Sequence, residues 1–167
     1  MASAKAEFAK MEAAGIIQRS SFPWSSPLHM VMKSDGSWHP CGDNMRLNAV
    51  TVPDKYPLLS VSDFCARISS SKVFSKLDLE KGCYQVAMRD QDVIETAVVT
   101  PFGLIEFLCL PFGLRNAAQA FQRLMDNIFG DLPFCFIYLY DILIFSPDLV
   151  SHQDHLQQTS PSALQRS

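Results

Sequence analysis

Two carboxylates stand in stretches that otherwise read as strand. Asp78 in KLDLEKG and Asp141 in FIYLYDILIF each sit beside aliphatic residues, 63 positions apart (141 minus 78). An aspartate among apolar strand residues is costly unless it is paired, hydrogen-bonded or bound to a cation. If the two strands are neighbours, both side chains can hold divalent metal, and oxygen donors select hard cations such as Mg²⁺. Metal-assisted phosphoryl transfer is the chemistry such a pair supports. The residues alone leave a second reading open, in which each aspartate merely ends its strand and points into water.

The elements that must position these residues are legible in part. VFSKLDLEKG sets Phe74, Lys76 and Asp78 on one face and Val73, Ser75, Leu77 and Leu79 on the other, which predicts a strand with Asp78 near its end. PFCFIYLYDILIFSP holds two apolar segments around Tyr140-Asp141 and predicts a hairpin, although its turn lacks the Asn-Gly or Gly-X signal. RNAAQAFQRLMDNIFGDL spaces Ala117, Phe121, Leu124 and Ile128 as a helix stopped by Gly130. Two PFG tripeptides, at 101–103 and 111–113, interrupt an apolar, strand-like run between them.

Upstream, residues 2–14 predict a short amphipathic helix closed by Gly15, and QRSSFPWSSP reads as loop. LHMVMKSDGSWHPCGD predicts a hairpin turning at Ser34 to Ser37. NMRLNAVTVPDKYPL is turn-rich, and a helix is expected over Ser60 to Ile68. After Pro147 the chain turns polar, so 151–167 is expected to hold at most a turn of helix before a disordered tail.

Composition narrows the class. With 167 residues, 48% hydrophobic and 19% charged, the chain reads as one folded globular domain. A net charge of −3 carries no basic footprint, so any grip on a phosphate backbone must be local. The five cysteines, Cys41, Cys65, Cys83, Cys109 and Cys135, form no CxxC pair and suggest neither a zinc knuckle nor a disulfide framework. MASAKAEFAKMEAAG lacks an apolar signal core, and no run approaches the roughly 20 apolar residues of a membrane span. An intracellular protein, cytoplasmic or nuclear and not secreted, is expected.

The ordered series GIIQRSSFPWSSPLHMVMKSDGSW, RLNAVTVPDKYPL, FSKLDLEKGCYQV, TPFGLIEFLCLPFGLRNAAQAFQRLMD and YLYDILIFSPDLVSHQDHL resembles the reverse transcriptase of gypsy-type LTR retrotransposons over about residues 7 to 156. The resemblance implies an α+β fold, the fingers and palm of a right-hand polymerase, with an antiparallel palm sheet covered by helices. It places fingers at about 1–72 and 92–110 and palm at about 73–91 and 111–150. It implies RNA-directed DNA synthesis on an RNA or DNA template-primer from dNTPs with two Mg²⁺ ions. Asp78 and Asp141 match two of three catalytic aspartates, and the Leu79 carbonyl is implied as a further metal ligand. His39, Lys81, Gly82, Cys83 and Phe112 fall at nucleotide-binding positions. Pro111, Gly113, Asn116 and Tyr138 fall along the template-primer. Read without the resemblance, Phe112 and Phe121 are equally core residues, and Lys33 and Lys81 are solvated charges. His152 and His155 match an ordinary segment that follows the family's hairpin.

Several positions depart from the family pattern. Residues 138–141 occupy the YxDD motif but read Tyr-Leu-Tyr-Asp, so Tyr140 stands where an aspartate is expected. His39 replaces the arginine that grips the triphosphate, and Cys83 the tyrosine that crowds the sugar. DYRRLN appears as DNMRLN, with Asn44 in place of the tyrosine. Each of these four exchanges is one nucleotide change from the family residue, which points to decay rather than retuning. Family members continue into a primer-gripping hairpin, thumb, connection and RNase H. With Tyr140 in place of an aspartate and those regions absent here, a truncated, catalytically defective domain is expected, the alternatives being a non-catalytic nucleic-acid- or protein-binding module retained by the host and a non-functional retroelement relic.

Overall fold

In chain order the elements are α1 (Ala2–Ala13), β1 (Ile17–Arg19), β2 (Ser26–Met32), β3 (Trp38–Gly42), α2 (Met45–Val50), α3 (Val61–Ile68), β4 (Val73–Asp78) and α4 (Asp90–Val93), then β5 (Val98–Thr100), β6 (Gly103–Phe107), α5 (Ala117–Phe129), β7 (Cys135–Tyr138), β8 (Asp141–Ser146) and α6 (Leu149–Gln158). The computed structural model describes residues 2–32, 38–58, 61–79, 82–138 and 141–159, without the side chains of 2–4, 31–32, 38–40 and 61. The chain forms two compact units, Met1–Pro53 with Cys83–Ala117, and Asp54–Gly82 with Ala118–Ser167. These ranges divide the chain differently from the fingers and palm ranges expected above.

The first unit is built on a five-stranded sheet of order β1-β6-β5-β2-β3. Phe8 and Met11, one turn apart on α1, join Ile17, Val98, Ile105 and Phe107 in its buried core. Gly15 ends α1 at φ 68°, where the Ile16 amide donates to the Met11 carbonyl at 2.9 Å. This is the left-handed C-terminal closure the sequence predicts. β2 and β3 form the expected antiparallel hairpin, and its turn, residues 33–37, lies outside the described residues. The first PFG tripeptide makes the β5-β6 turn, with Thr100 opposite Gly103.

Two expectations are corrected here. The stretch from Gln18 is not all loop, because Ile17–Arg19 pairs antiparallel with β6. Three residues carry no legible alternation, and the partner strand supplies what propensity does not. Likewise NMRLNAV, read as turn-rich, forms α2, a six-residue helix with no buried residue. Nothing in an amphipathic pattern could have marked it.

The second unit carries a three-stranded antiparallel sheet of order β4-β8-β7. α5 buries Ala117, Phe121, Met125 and Phe129 at intervals of four, and of the stripe expected above Leu124 is half-buried and Ile128 exposed, so the helix is confirmed with its buried face turned toward Met125 and Phe129. α6 packs on β8 and β4. It corrects the expectation of at most one helical turn after Pro147. Asp148 caps it, accepting hydrogen bonds from the Ser151 amide at 2.8 Å and the Ser151 hydroxyl at 3.1 Å. Those bonds hold the Asp148 carboxyl below the usual carboxylate range. The legible signal was Asp148 itself, an N-cap residue directly after a proline. Polarity hid the helix because what it buries is mostly polar: His152 is only 5% exposed. Residues 160–167 lie outside the described residues.

Candidate active site

β4 and β8 run antiparallel in a register that sets Asp78 opposite Asp141, and β7 sets Tyr138 against Asp141 from the other side. Directly opposed residues project from one face, so both carboxylates meet at one end of the sheet. The register has a clear cause. Slipping it by one residue would turn Ile142 and Ile144, both buried, to the opposite face.

Lys76 precedes Asp78 by two positions and therefore shares its face. Its Nζ lies 2.9 Å from Asp141 Oδ2, an ion pair in which both side chains are about half exposed, at 62% and 48%. The hydrogen bond to Asp141, with the added attraction of Asp141 and Asp78, raises the ammonium above the ordinary lysine pKa. Beside the pair lies a hollow of about 280 Å³ lined by Phe64, Lys76, Phe136, Tyr138, Asp141 and Leu143. Phe64 of α3 closes on Phe136 with ring centroids 4.7 Å apart.

The donor set fits a hard divalent cation. Asp78 and Asp141 offer carboxylate oxygens, and the Leu79 carbonyl, which accepts the Gly82 amide at 3.2 Å, keeps a second lone pair. Water and substrate phosphate commonly complete such a shell. Among the described residues, no third His, Cys, Asp or Glu joins the two carboxylates as a metal-holding group. Leu139, Tyr140 and Lys81 lie outside the described residues, as does the side chain of His39, which sits on β3 opposite Val31.

The remaining sequence-predicted positions belong to the first unit, except Gly82, which opens the 3-10 turn Gly82–Gln85. Cys83 is 0% exposed. Its thiol meets no solvent, so a position expected to gate the sugar is a core residue in this conformation. Neighbouring Tyr84 sets its ring edge against Phe112 with centroids 5.6 Å apart, and burial pushes its hydroxyl up to about 12. Pro111 is buried, Phe112 half-buried and Gly113 exposed. Asn116 Nδ2 donates to the Val52 carbonyl at 2.8 Å.

Sequence reasoning missed the residues that hold the second PFG tripeptide. Asn48 of α2 donates from Nδ2 to the Gly113 carbonyl at 2.8 Å and accepts the Arg115 amide on Oδ1 at 2.8 Å. Asn44, at the start of α2, donates to the Phe112 carbonyl at 3.4 Å. Two asparagines flanking Met45-Arg46-Leu47 were the only local sign, and nothing in them pointed 65 residues downstream. Gly113 has φ 87°, left-handed backbone, and a Cβ there would meet only Asn44 Nδ2 at 3.7 Å. Space is adequate, so the conformation alone demands glycine. Gly113→Ala is expected to lower unfolding free energy by about 1–2 kcal/mol in a urea titration. An unchanged midpoint would show that the tripeptide relaxes freely.

Comparison with known proteins follows the same lines. Residues 31–165 match the family model described as reverse transcriptase (RNA-dependent DNA polymerase). The Pol polyprotein of transposon opus from Drosophila melanogaster is 38% identical over 150 residues, covering 86% of this chain and 15% of that protein. The Pol polyprotein of transposon gypsy, from the same fly, is 35% identical over 150 residues, covering 85% and 14%. The chain thus spans about one seventh of the length of these relatives. Among solved structures, a foamy viral protease-reverse transcriptase in complex with double-stranded DNA superposes with TM-score 0.86 at 18% identity, covering 93% of this chain and 28% of that one.

Proposed function

The chain belongs to the reverse transcriptase family of retrotransposon Pol polyproteins, with the fingers and palm fold, and from that premise we propose a template-primer-binding polymerase domain whose nucleotidyl transfer is severely impaired. The observation that carries the reading is the register that sets Asp78 opposite Asp141 on one sheet face. Asp78, Asp141 and the Leu79 carbonyl would hold Mg²⁺. The chemistry they would supply through such an ion is charge neutralisation at the α-phosphate and a lowered pKa of the primer's 3′-hydroxyl. Impairment follows from Tyr140, a neutral phenol where the family has a carboxylate. His39 adds to it, being at best partly charged where a guanidinium would hold the triphosphate.

That same pair of features favours a second reading, a module that binds template-primer without extending it. A solved relative is bound to double-stranded DNA, which supports nucleic acid as the ligand. Primer extension on an RNA template, with Mg²⁺ and with Mn²⁺, separates the readings when run beside a binding titration. The expected result is retained binding with a negative log-salt slope and extension at or near the level of Asp78→Asn. Robust extension by the unmodified chain would overturn the impairment. Absence of salt-dependent binding would overturn the proposal as a whole.

A further inference from the structure

We propose that Lys76 is an internal counter-ion that competes with a divalent cation for Asp141 and so sets the metal affinity of this site. The inference rests on the metal-binding reading above. Three observations carry it.

The first is placement. Lys76 lies on the carboxylate face of β4, and its Nζ contacts Asp141 Oδ2 at 2.9 Å. An ammonium at that distance occupies an oxygen that a metal ion needs. The second is surroundings. The hollow beside the pair is walled by Phe64, Phe136, Tyr138 and Leu143, and among the described lining residues Asp141 is the one carboxylate. Lys76 itself lines this largely apolar hollow, and its head is paired with the anion. The third is charge. With Tyr140 neutral, Asp78 and Asp141 supply −2, and Lys76 reduces this to −1. A three-carboxylate site would retain −2 after the same pairing. The loss of one carboxylate therefore makes the lysine weigh more heavily against a dication.

The effect has a bounded size. An exposed, solvent-screened ion pair contributes no more than about fivefold in a dissociation constant. Relief of repulsion between ammonium and metal adds to it, so about three- to tenfold tightening is expected when the lysine is removed. Full chain is titrated with Mn²⁺, free ion being followed by electron paramagnetic resonance, for the unmodified protein, Lys76→Met, Lys76→Gln, Lys72→Met and Asp141→Asn. Lys72 lies six residues before Asp78, about 20 Å along the strand, beyond the screening length at physiological salt. It controls for net charge.

Tighter binding in both Lys76 variants, with Lys72→Met unchanged, supports the proposal. Two substitutions of different polarity guard against misfolding, and a cooperative thermal melt checks each. Equal affinity in the Lys76 and Lys72 variants, with loss in Asp141→Asn, overturns the counter-ion role and leaves the metal site standing. Absence of Mn²⁺ binding in every protein overturns both.

Discussion

Tyr140→Asp raises primer extension by on the order of a thousandfold over the unmodified chain. A phenol is neutral at pH 7, and its oxygen is a poor partner for Mg²⁺. Restoring aspartate returns one negative charge to the hairpin that presents Asp141 and raises the carboxylate count from two to three. If that carboxylate supplies about 4–5 kcal/mol of transition-state stabilisation, the rate changes by roughly three powers of ten. The gain should appear in kcat with little change in template-primer affinity, because the restored group acts on charge that develops at the reacting phosphate. A Tyr140→Asn control separates charge from bulk. Should both substitutions restore extension equally, steric crowding rather than the missing carboxylate is the lesion. Should Tyr140→Asp bind Mn²⁺ more tightly and still not extend primer, the deficiency lies outside the hairpin, with His39 the next position to reverse.

The second large effect is on stability. His152→Ala should lower unfolding free energy by about 2–4 kcal/mol, read as a melting temperature about 10 °C lower. His152 sits against the sheet face opposite the carboxylates. Its Nε2 is 2.8 Å from Ser75 Oγ and its Nδ1 2.8 Å from Ser146 Oγ, which is also 2.8 Å from His155 Nδ1. One neutral arrangement satisfies every group: Ser75 donates to His152, His152 to Ser146, and Ser146 to His155. The His155 ring stacks on Phe134 with centroids 3.7 Å apart. Removing the His152 imidazole leaves a cavity, takes the acceptor from the Ser75 hydroxyl and takes the donor to the Ser146 oxygen, which is 1% exposed and keeps only His155. Both costs add. A paired Ser146→Ala change tests the network. If the double substitution costs as much as the two singles summed, the groups act independently and the hydrogen-bonded chain is not a unit. Because α6 joins β4 and β8 through these bonds, loosening it should also weaken Mn²⁺ binding on the opposite face, by a smaller factor than Asp141→Asn.

Legibility followed the physics of each element. Helix α5 and strands β7 and β8 were readable because they bury apolar residues in a pattern visible locally, whereas β4, which buries none of its residues, was readable from its alternation alone. β1, α2 and α6 were not. β1 is three residues long and exists through β6. α2 buries nothing, and its asparagines bond to a tripeptide 65 residues away. α6 buries a histidine, and a polar stripe looks like a solvated one until its hydroxyl partners on β4 and β8 are in place. Among site residues, Asp78 and Asp141 were found as carboxylates out of place in strands, whereas Lys76 looked like one more alternating surface charge.

By itself the sequence determined which chemical groups are present and which is missing. The aspartates are intrusions in apolar strands, and Tyr140 is a neutral side chain at a position that resemblance marks as acidic. Covalent structure suffices for those statements, since charge and donor type belong to the side chain. Only the tertiary structure decided that Asp78 and Asp141 are direct neighbours, that Lys76 is committed to one of them, and that Cys83 is core. Register between strands 63 residues apart is set by which side chains bury together, and burial of Ile142 and Ile144 is a property of the assembled sheet, not of either strand alone.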